Sequence, residues 1–267
     1  MMRLHAGYSG EVTAFQVIKA GLQTGYRAVV AAVLGPYALG LYMLGYKLSV
    51  ETTAVFRAGL GGFLFPFLSR HQDDRAALVG GFVRATKSLL GLTSLALAGM
   101  VLTAPYLVPF VFGEEWTRAA VAAQVLTLVA LADCVFGTSG ELMKATRHSR
   151  GLLVWSLAYA VVMLSLLVVG AVTAGLVGAA WGAGLAALLL VPVSLVQAGR
   201  RLAVRPTWLA RQLLVPVSGP LLVTVTALLV SAMAPDVPPA VIVPLALTAL
   251  LLLGHGQLRA LRSTGRT

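Results

Sequence analysis

This chain is poor in the groups that do chemistry in water. Only nine of its 267 residues are Asp or Glu, and one is Cys. A single thiol, Cys134, excludes an internal disulfide and offers no cysteine pair at metal-ligand spacing, so it reads as a small core residue. The four histidines, His5, His71, His148 and His255, are scattered, and no two share helical ligand spacing. That argues against a metal site. There is no phosphate-binding lysine loop, no dinucleotide glycine fingerprint and no serine elbow. No long catalytic loop interrupts the apolar stretches either. The expectation is a protein that is not an enzyme and carries neither cofactor nor metal. A signal peptide is not evident, because the first apolar run is too long and lacks a typical cleavage site.

Apolar residues, in contrast, are abundant. They make up 58% of the sequence, charged residues only 11%, and the mean hydropathy is +0.89. One soluble core cannot hide that much apolar surface. A helix crossing a bilayer needs about 20 mostly apolar residues. Stretches free of Asp, Glu, Lys and Arg run over 88–113, 151–199, 212–235 and 237–258. The second is too long for one crossing and folds into two helices around Thr173-Ala174-Gly175. Three further spans carry charge: 11–34 with Lys19 and Arg27, 37–65 with Lys47, Glu51 and Arg57, and 118–143 with Asp133 and Glu141. A Gly35-Pro36 breaker separates the first two as a tight hairpin. The fold class is therefore all-α, a polytopic membrane bundle of about eight helices by this count.

Basic residues set the expected orientation, because cytoplasmic loops collect Lys and Arg. Fourteen of the twenty lie in four clusters: Arg70, Arg75, Arg84 and Lys87; Lys144, Arg147 and Arg150; Arg200, Arg201, Arg205 and Arg211; Arg259, Arg262 and Arg266. Every second loop is basic. The loops between them are Gly35-Pro36, the acidic run from Gly113 to Arg118, the turn at Gly175, and Pro235-Asp236-Val237-Pro238. A cytoplasmic-membrane protein with both termini in the cytoplasm satisfies all of them. The net charge of +11 does not mark a nucleic-acid binder. It is spread over loops flanking the membrane, with no aromatic-interleaved basic stripe, and anionic lipid headgroups account for it. Tyr106, Phe110, Phe112, Trp116 and Trp208 fall at the span ends as interfacial anchors.

Charges inside spans are the strongest functional pointers, since each costs about 2.5–3.5 kcal/mol at a helix centre. Gln16, Lys19, Gln23, Tyr26 and Arg27 fall within roughly a third of the first helix's circumference. This stripe either lines a hydrated cavity and offers cations to an anionic group, or packs against another polar helix with Lys19 snorkelling. In the second span Tyr42, Tyr46, Ser49, Thr53 and Arg57 share a face, and Lys47 with Glu51 stands at ion-pair spacing. Arg57 has no local partner and ranks with Arg27 as a candidate anion contact. Asp133 is a candidate for proton or cation coupling or a partner for Lys19 or Arg27, with Glu51 and Glu141 as further coupling candidates. Glu141 also lies close enough to Lys144 for a simple interfacial pair. Prolines at 105, 109, 192, 216, 220 and 244 suit the kinks of a moving bundle.

Several motifs together resemble a known family. Residues Leu34 to Tyr42, Tyr46-Lys47, Leu64-Phe65-Pro66 with Ser69-Arg70, Gln72-Asp73-Asp74, and Phe112-Gly113-Glu114-Glu115-Trp116 are similar to the polysaccharide transporter family. These are Wzx-type flippases of polysaccharide and lipopolysaccharide biosynthesis, within the multidrug/oligosaccharidyl-lipid/polysaccharide exporter superfamily. The resemblance covers about residues 20–200. It departs from the family pattern at Arg27, where an acidic or polar residue is usual, at Gly62 before Leu-Phe-Pro, and at Thr146-Arg147.

The resemblance implies alternating-access movement of undecaprenyl-pyrophosphate-linked oligosaccharides across the cytoplasmic membrane. It implies that this chain corresponds to the C-terminal half: a six-helix lobe over 1–199, then an additional helix pair and tail over 200–267. Lys19, Gln23, Arg27 and Arg57 would hold the lipid-linked substrate. The first lobe would have to come from a missing N-terminal half or a second copy. A non-transporting remnant or accessory protein is the alternative, followed by a membrane-embedded glycosyltransferase or polymerase.

Overall fold

The computed structural model describes residues 2–146, 149–233 and 239–263, with side chains over 13–146, 151–230 and 242–256. All secondary structure among them is helical. Helix α1 (Met2–Tyr46) runs into a π-helical turn (Lys47–Glu51) and then α2 (Thr52–Arg70). Next come α3 (Arg75–Phe112), a 3-10 turn (Glu114–Trp116), α4 (Thr117–Ala145), α5 (Ser149–Leu202), α6 (Pro206–Met233) and α7 (Pro239–Ser263). The Pro235–Pro238 turn, Arg147, His148 and Arg266 lie outside the described residues, as do the side chains of His5, Arg150, Arg259 and Arg262.

Five helical stretches among the described residues are long and apolar enough to cross a membrane, and 242–256 is a shorter apolar helix. The expected count of eight separate helices is not confirmed in that form, because two of the stretches fold back on themselves. In α1 the reversal is at Gly35, whose φ of 85° and ψ of 170° suit only glycine. The next residue, Pro36, has no N–H to continue the helical ladder. The two arms then pack together, with the Tyr26 ring 6.0 Å from Tyr42 and 5.1 Å from Tyr46.

In α5 the reversal is at Ala174 and Gly175. A Cβ placed on Gly178 would stand 2.1 Å from the carbonyl oxygen of Gly170, and one on Gly182 the same distance from that of Leu166. Glycine lets the two backbones touch, as small residues do wherever membrane helices pack closely. These interior departures from helical backbone angles fall at glycine-centred breaks and not at the prolines. Pro220 shows how the bundle accommodates a proline: it cannot bond the Pro216 carbonyl one turn back, and the Ser94 hydroxyl of α3 reaches that oxygen at 3.3 Å.

Helix α4 is the hub. Of its apolar stretch, 67% is buried, against 22–28% in the other four. One core cluster joins α1, α4 and α5 around Tyr42, Leu126 and Leu167, and another joins α2, α3, α4 and the ends of α5 and α6 around Leu68, Phe82 and Leu142. The α6–α7 pair packs on α3 through Ala98 and Leu102.

The loops sort by charge. Tyr37, beside the Gly35 turn, donates its hydroxyl to the Glu115 carbonyl at 3.0 Å, so these two poorly basic turns share one end of the bundle. At the other, Arg75 donates to the carbonyls of Leu202 and Ala203, with the Nε contact at 3.1 Å, and Lys87 donates to Gln212. Two basic loops more than a hundred residues apart in sequence therefore meet.

Candidate functional site

A cavity of about 300 Å³ opens among α1, α2, α4 and α5. From α1 it takes Phe15, Ile18, Lys19, Leu22, Gln23 and Tyr26, a spacing that keeps one helical face toward the space. Helix α4 contributes Val129, Asp133, Phe136 and Gly137; the end of α1 and the start of α2 contribute Tyr46, Ala54 and Arg57. The first arm of α5 closes the wall with Trp155, Ser156, Tyr159 and Met163.

Charge in the cavity is concentrated on three side chains. Arg57 Nη2 stands 3.6 Å from Asp133 Oδ2, and both side chains are about three-quarters buried, 21% and 25% exposed. Arg57 Nη1 also donates to Thr53 Oγ1 at 3.4 Å. Lys19, on α1, is the second cation whose field acts on Asp133, and the hydroxyls of Tyr46 and Tyr159 interact electrostatically with the same carboxylate. Arg57 lies against Gly137, where a Cβ would stand in ordinary contact with Arg57 Cδ at 3.7 Å. The remaining wall is aliphatic and aromatic. Phe136 meets Trp155 and Tyr159 edge-on at 5.4 and 5.1 Å. Tyr26 is 1% exposed and packs against the Tyr46 ring.

Of the residues singled out from the sequence, Lys19, Gln23, Arg57 and Asp133 come together in this cavity. Arg27 does not: it is exposed on the flank of α1, with its guanidinium carbon 5.9 Å from the centre of the Tyr26 ring. Asp133 pairs with Arg57 of α2, not with Lys19 or Arg27 of α1. Glu141 is held by Lys144 on its own helix at 2.9 Å, the interfacial pair that its position suggested. Glu51 and Lys47 are both exposed, and among the described residues they form no ion pair. Sequence reasoning passed over Trp155, Ser156 and Tyr159 because they sit in a charge-free span. Their signal was an aromatic pair at i, i+4 with a serine between, in an otherwise aliphatic helix.

The described residues thus form an all-helical bundle with membrane-length apolar helices and an internal charged cleft. Residues 1–121 match the family model described as polysaccharide biosynthesis protein. The chain is 28% identical over 155 residues to the lipopolysaccharide biosynthesis protein WzxC of Escherichia coli K12, a match covering 58% of this chain and 31% of that protein. It is 27% identical over 154 residues to a membrane protein of the cps region in Klebsiella pneumoniae, covering 58% of this chain and 32% of that one. The fold is similar to that of the lipid II flippase MurJ in its inward closed conformation, with a TM-score of 0.58 at 13% identity over 88% of this chain and 52% of that chain. The chain is thus similar in sequence to proteins of polysaccharide biosynthesis and in fold to a solved flippase, and its matches span about a third of the curated relatives' length and half of the solved flippase.

Proposed function

We propose that this chain forms one lobe of a translocator that carries lipid-linked oligosaccharides across the cytoplasmic membrane by alternating access. The observation that carries the reading is the meeting of Lys19, Gln23 and Arg57 in one cleft inside a flippase-like fold. An undecaprenyl-pyrophosphate group brings two anionic phosphates, and Arg offers them a planar fork while Lys offers a point charge. A volume of about 300 Å³ is at the low end for ligand pockets of roughly 300–1,000 Å³. It suits the charged head of such a lipid, with the sugars lying outside the cleft along the exposed face that carries Arg27. The residue groups 1–199 and 200–267 then correspond to the lobe and an additional helix pair. A facing lobe, from further polypeptide or a second copy, encloses the sugars.

The side where the Arg75 and Ala203 loops meet is the cytoplasmic one, because basic loops stay in the cytoplasm. Of the three acidic candidates only Asp133 lines the cleft, so coupling to a proton or cation falls to it and not to Glu51 or Glu141. In the producing cell, Lys19→Gln and Arg57→Gln should each cut polymer export at least about tenfold at normal protein level, whereas Arg84→Gln should leave it intact. A tenfold change corresponds to about 1.4 kcal/mol, the scale of one charge-assisted contact. Normal export by both cleft variants would refute the assignment.

A further inference from the structure

We infer that Asp133 is a resident counter-ion that occupies Arg57 while the cleft is empty and yields it to a pyrophosphate group on entry. The inference rests on the cleft being the pyrophosphate site, and adds to it a built-in competitor that sets how tightly that group is held.

The Arg57–Asp133 contact is a poor one. At 3.6 Å it is well outside the roughly 2.7–2.9 Å of a charge-assisted hydrogen bond, and it joins one nitrogen to one oxygen where a bidentate fork is available. The second contact of the guanidinium, to Thr53 at 3.4 Å, is at the long limit of hydrogen bonding. The guanidinium also meets the Cys134 thiol, so Arg57 is held by three weak contacts, none of them the bidentate fork that it can offer an anion. Both members of the pair line the cavity, so an anion entering it reaches Arg57 without any helix having to move. The Arg57 stem already lies along the bare backbone of Gly137, so the residue faces the cavity from α2 with its Cδ against α4.

Asp133 is unable to follow. It projects from α4, the most buried helix, and its neighbours across the cleft are Lys19, Arg57, Tyr46 and Tyr159. With all three charged groups ionised the cleft carries two positive charges and one negative. An entering pyrophosphate diester, with two negative charges, takes the arginine from the carboxylate and is at the same time repelled by it. A translocator gains from such opposition: a site must bind well enough to load and weakly enough to release, the compromise that conduction sites also make.

The test is equilibrium binding of farnesyl pyrophosphate, and of inorganic pyrophosphate in parallel, to the purified full chain by calorimetry. Asp133→Asn should bind both probes about tenfold more tightly than the unmodified chain, and Asp133→Glu within about twofold of it. Arg57→Gln should bind at least tenfold more weakly, and adding Asp133→Asn to it should restore less than about twofold. Thermal melting of each variant confirms that it is folded. Unchanged or weaker binding by folded Asp133→Asn overturns the inference while leaving the cleft as the binding site. A gain that persists in full without Arg57 also overturns it, because the carboxylate then acts through its general field. A gain seen with the prenyl probe alone overturns it too, by placing the effect on the lipid tail. If neither probe binds the unmodified chain or Asp133→Asn, the cleft assignment falls and the inference with it.

Discussion

Replacing Gly178 by alanine should open the α5 hairpin and with it the aromatic wall of the cleft. The new methyl group would lie 2.1 Å from the Gly170 oxygen and 2.8 Å from the Ala174 Cβ. Ordinary contact begins near 3.4 Å, so the arms must separate by about an ångström, and no flexible side chain is there to give way instead. Overpacking of this kind costs about 1–3 kcal/mol, occasionally more. Alanine returns about 1 kcal/mol of helix propensity. With a 2.1 Å clash against backbone the cost falls at the upper end of that range, about 3 kcal/mol, so the net loss is about 2 kcal/mol and lowers the melting midpoint in detergent by several degrees. Gly59→Ala is the control: its site has nothing within 4 Å, so only the propensity gain applies and the midpoint should stay or rise. Since the first arm of α5 carries Trp155 and Tyr159, Gly178→Ala should also weaken pyrophosphate binding. A midpoint for Gly178→Ala at or above that of the unmodified chain would show that the arms are not packed backbone to backbone.

Gly35→Ala should cost about 1–3 kcal/mol in the same melting assay, because its backbone angles lie in a region open essentially to glycine alone. Gly40→Ala, with its nearest neighbour at 3.9 Å, should be close to neutral; equal effects at the two positions would refute the strained turn. Cys134 is fully buried, so the unmodified chain in membranes should resist a water-soluble maleimide. Lys19→Cys in a Cys134→Ala background should react with it, and failure to react from either side of the membrane would mean that water does not reach the cleft.

Much of this architecture is legible in the sequence because membrane helices announce themselves by length and by the absence of charge. The charge-free stretch over 88–113 lies within α3 but for its last residue, and the breaks expected at Gly35-Pro36 and Thr173-Ala174-Gly175 coincide with the two reversals. The site was harder to read. Polar residues mark one arc of α1, but the cleft is largely apolar and takes Phe15, Ile18 and Leu22 along with Lys19 and Gln23. Its centre is therefore rotated away from the middle of the polar arc. At roughly 100° per residue, Arg27 sits about 80° around the helix from Lys19 and about 40° beyond Gln23, which puts it on the flank. The Arg57–Asp133 pair joins α2 to α4, so helical spacing within one element carries no trace of it. Glu141 and Lys144, three residues apart on one helix, needed no such information.

The division of labour between α4 and its neighbours explains why the pair can be both present and weak. Helix α4 buries Ala119, Ala120, Ala122, Ala123, Ala130 and Ala132, side chains small enough for other backbones to come close. Gly45 does so: a Cβ there would meet the Ala123 nitrogen at 2.9 Å. Lipid supplies no hydrophobic drive for helix association, so this close packing is what fixes the hub. Asp133 inherits that fixity. Arg57 projects from α2, few of whose residues are buried, through a long side chain whose Cδ lies against Gly137. A carboxylate on the more buried helix and a guanidinium on the less buried one make an asymmetric pair, in which an anion arriving as proposed would displace the cation and leave the hub in place.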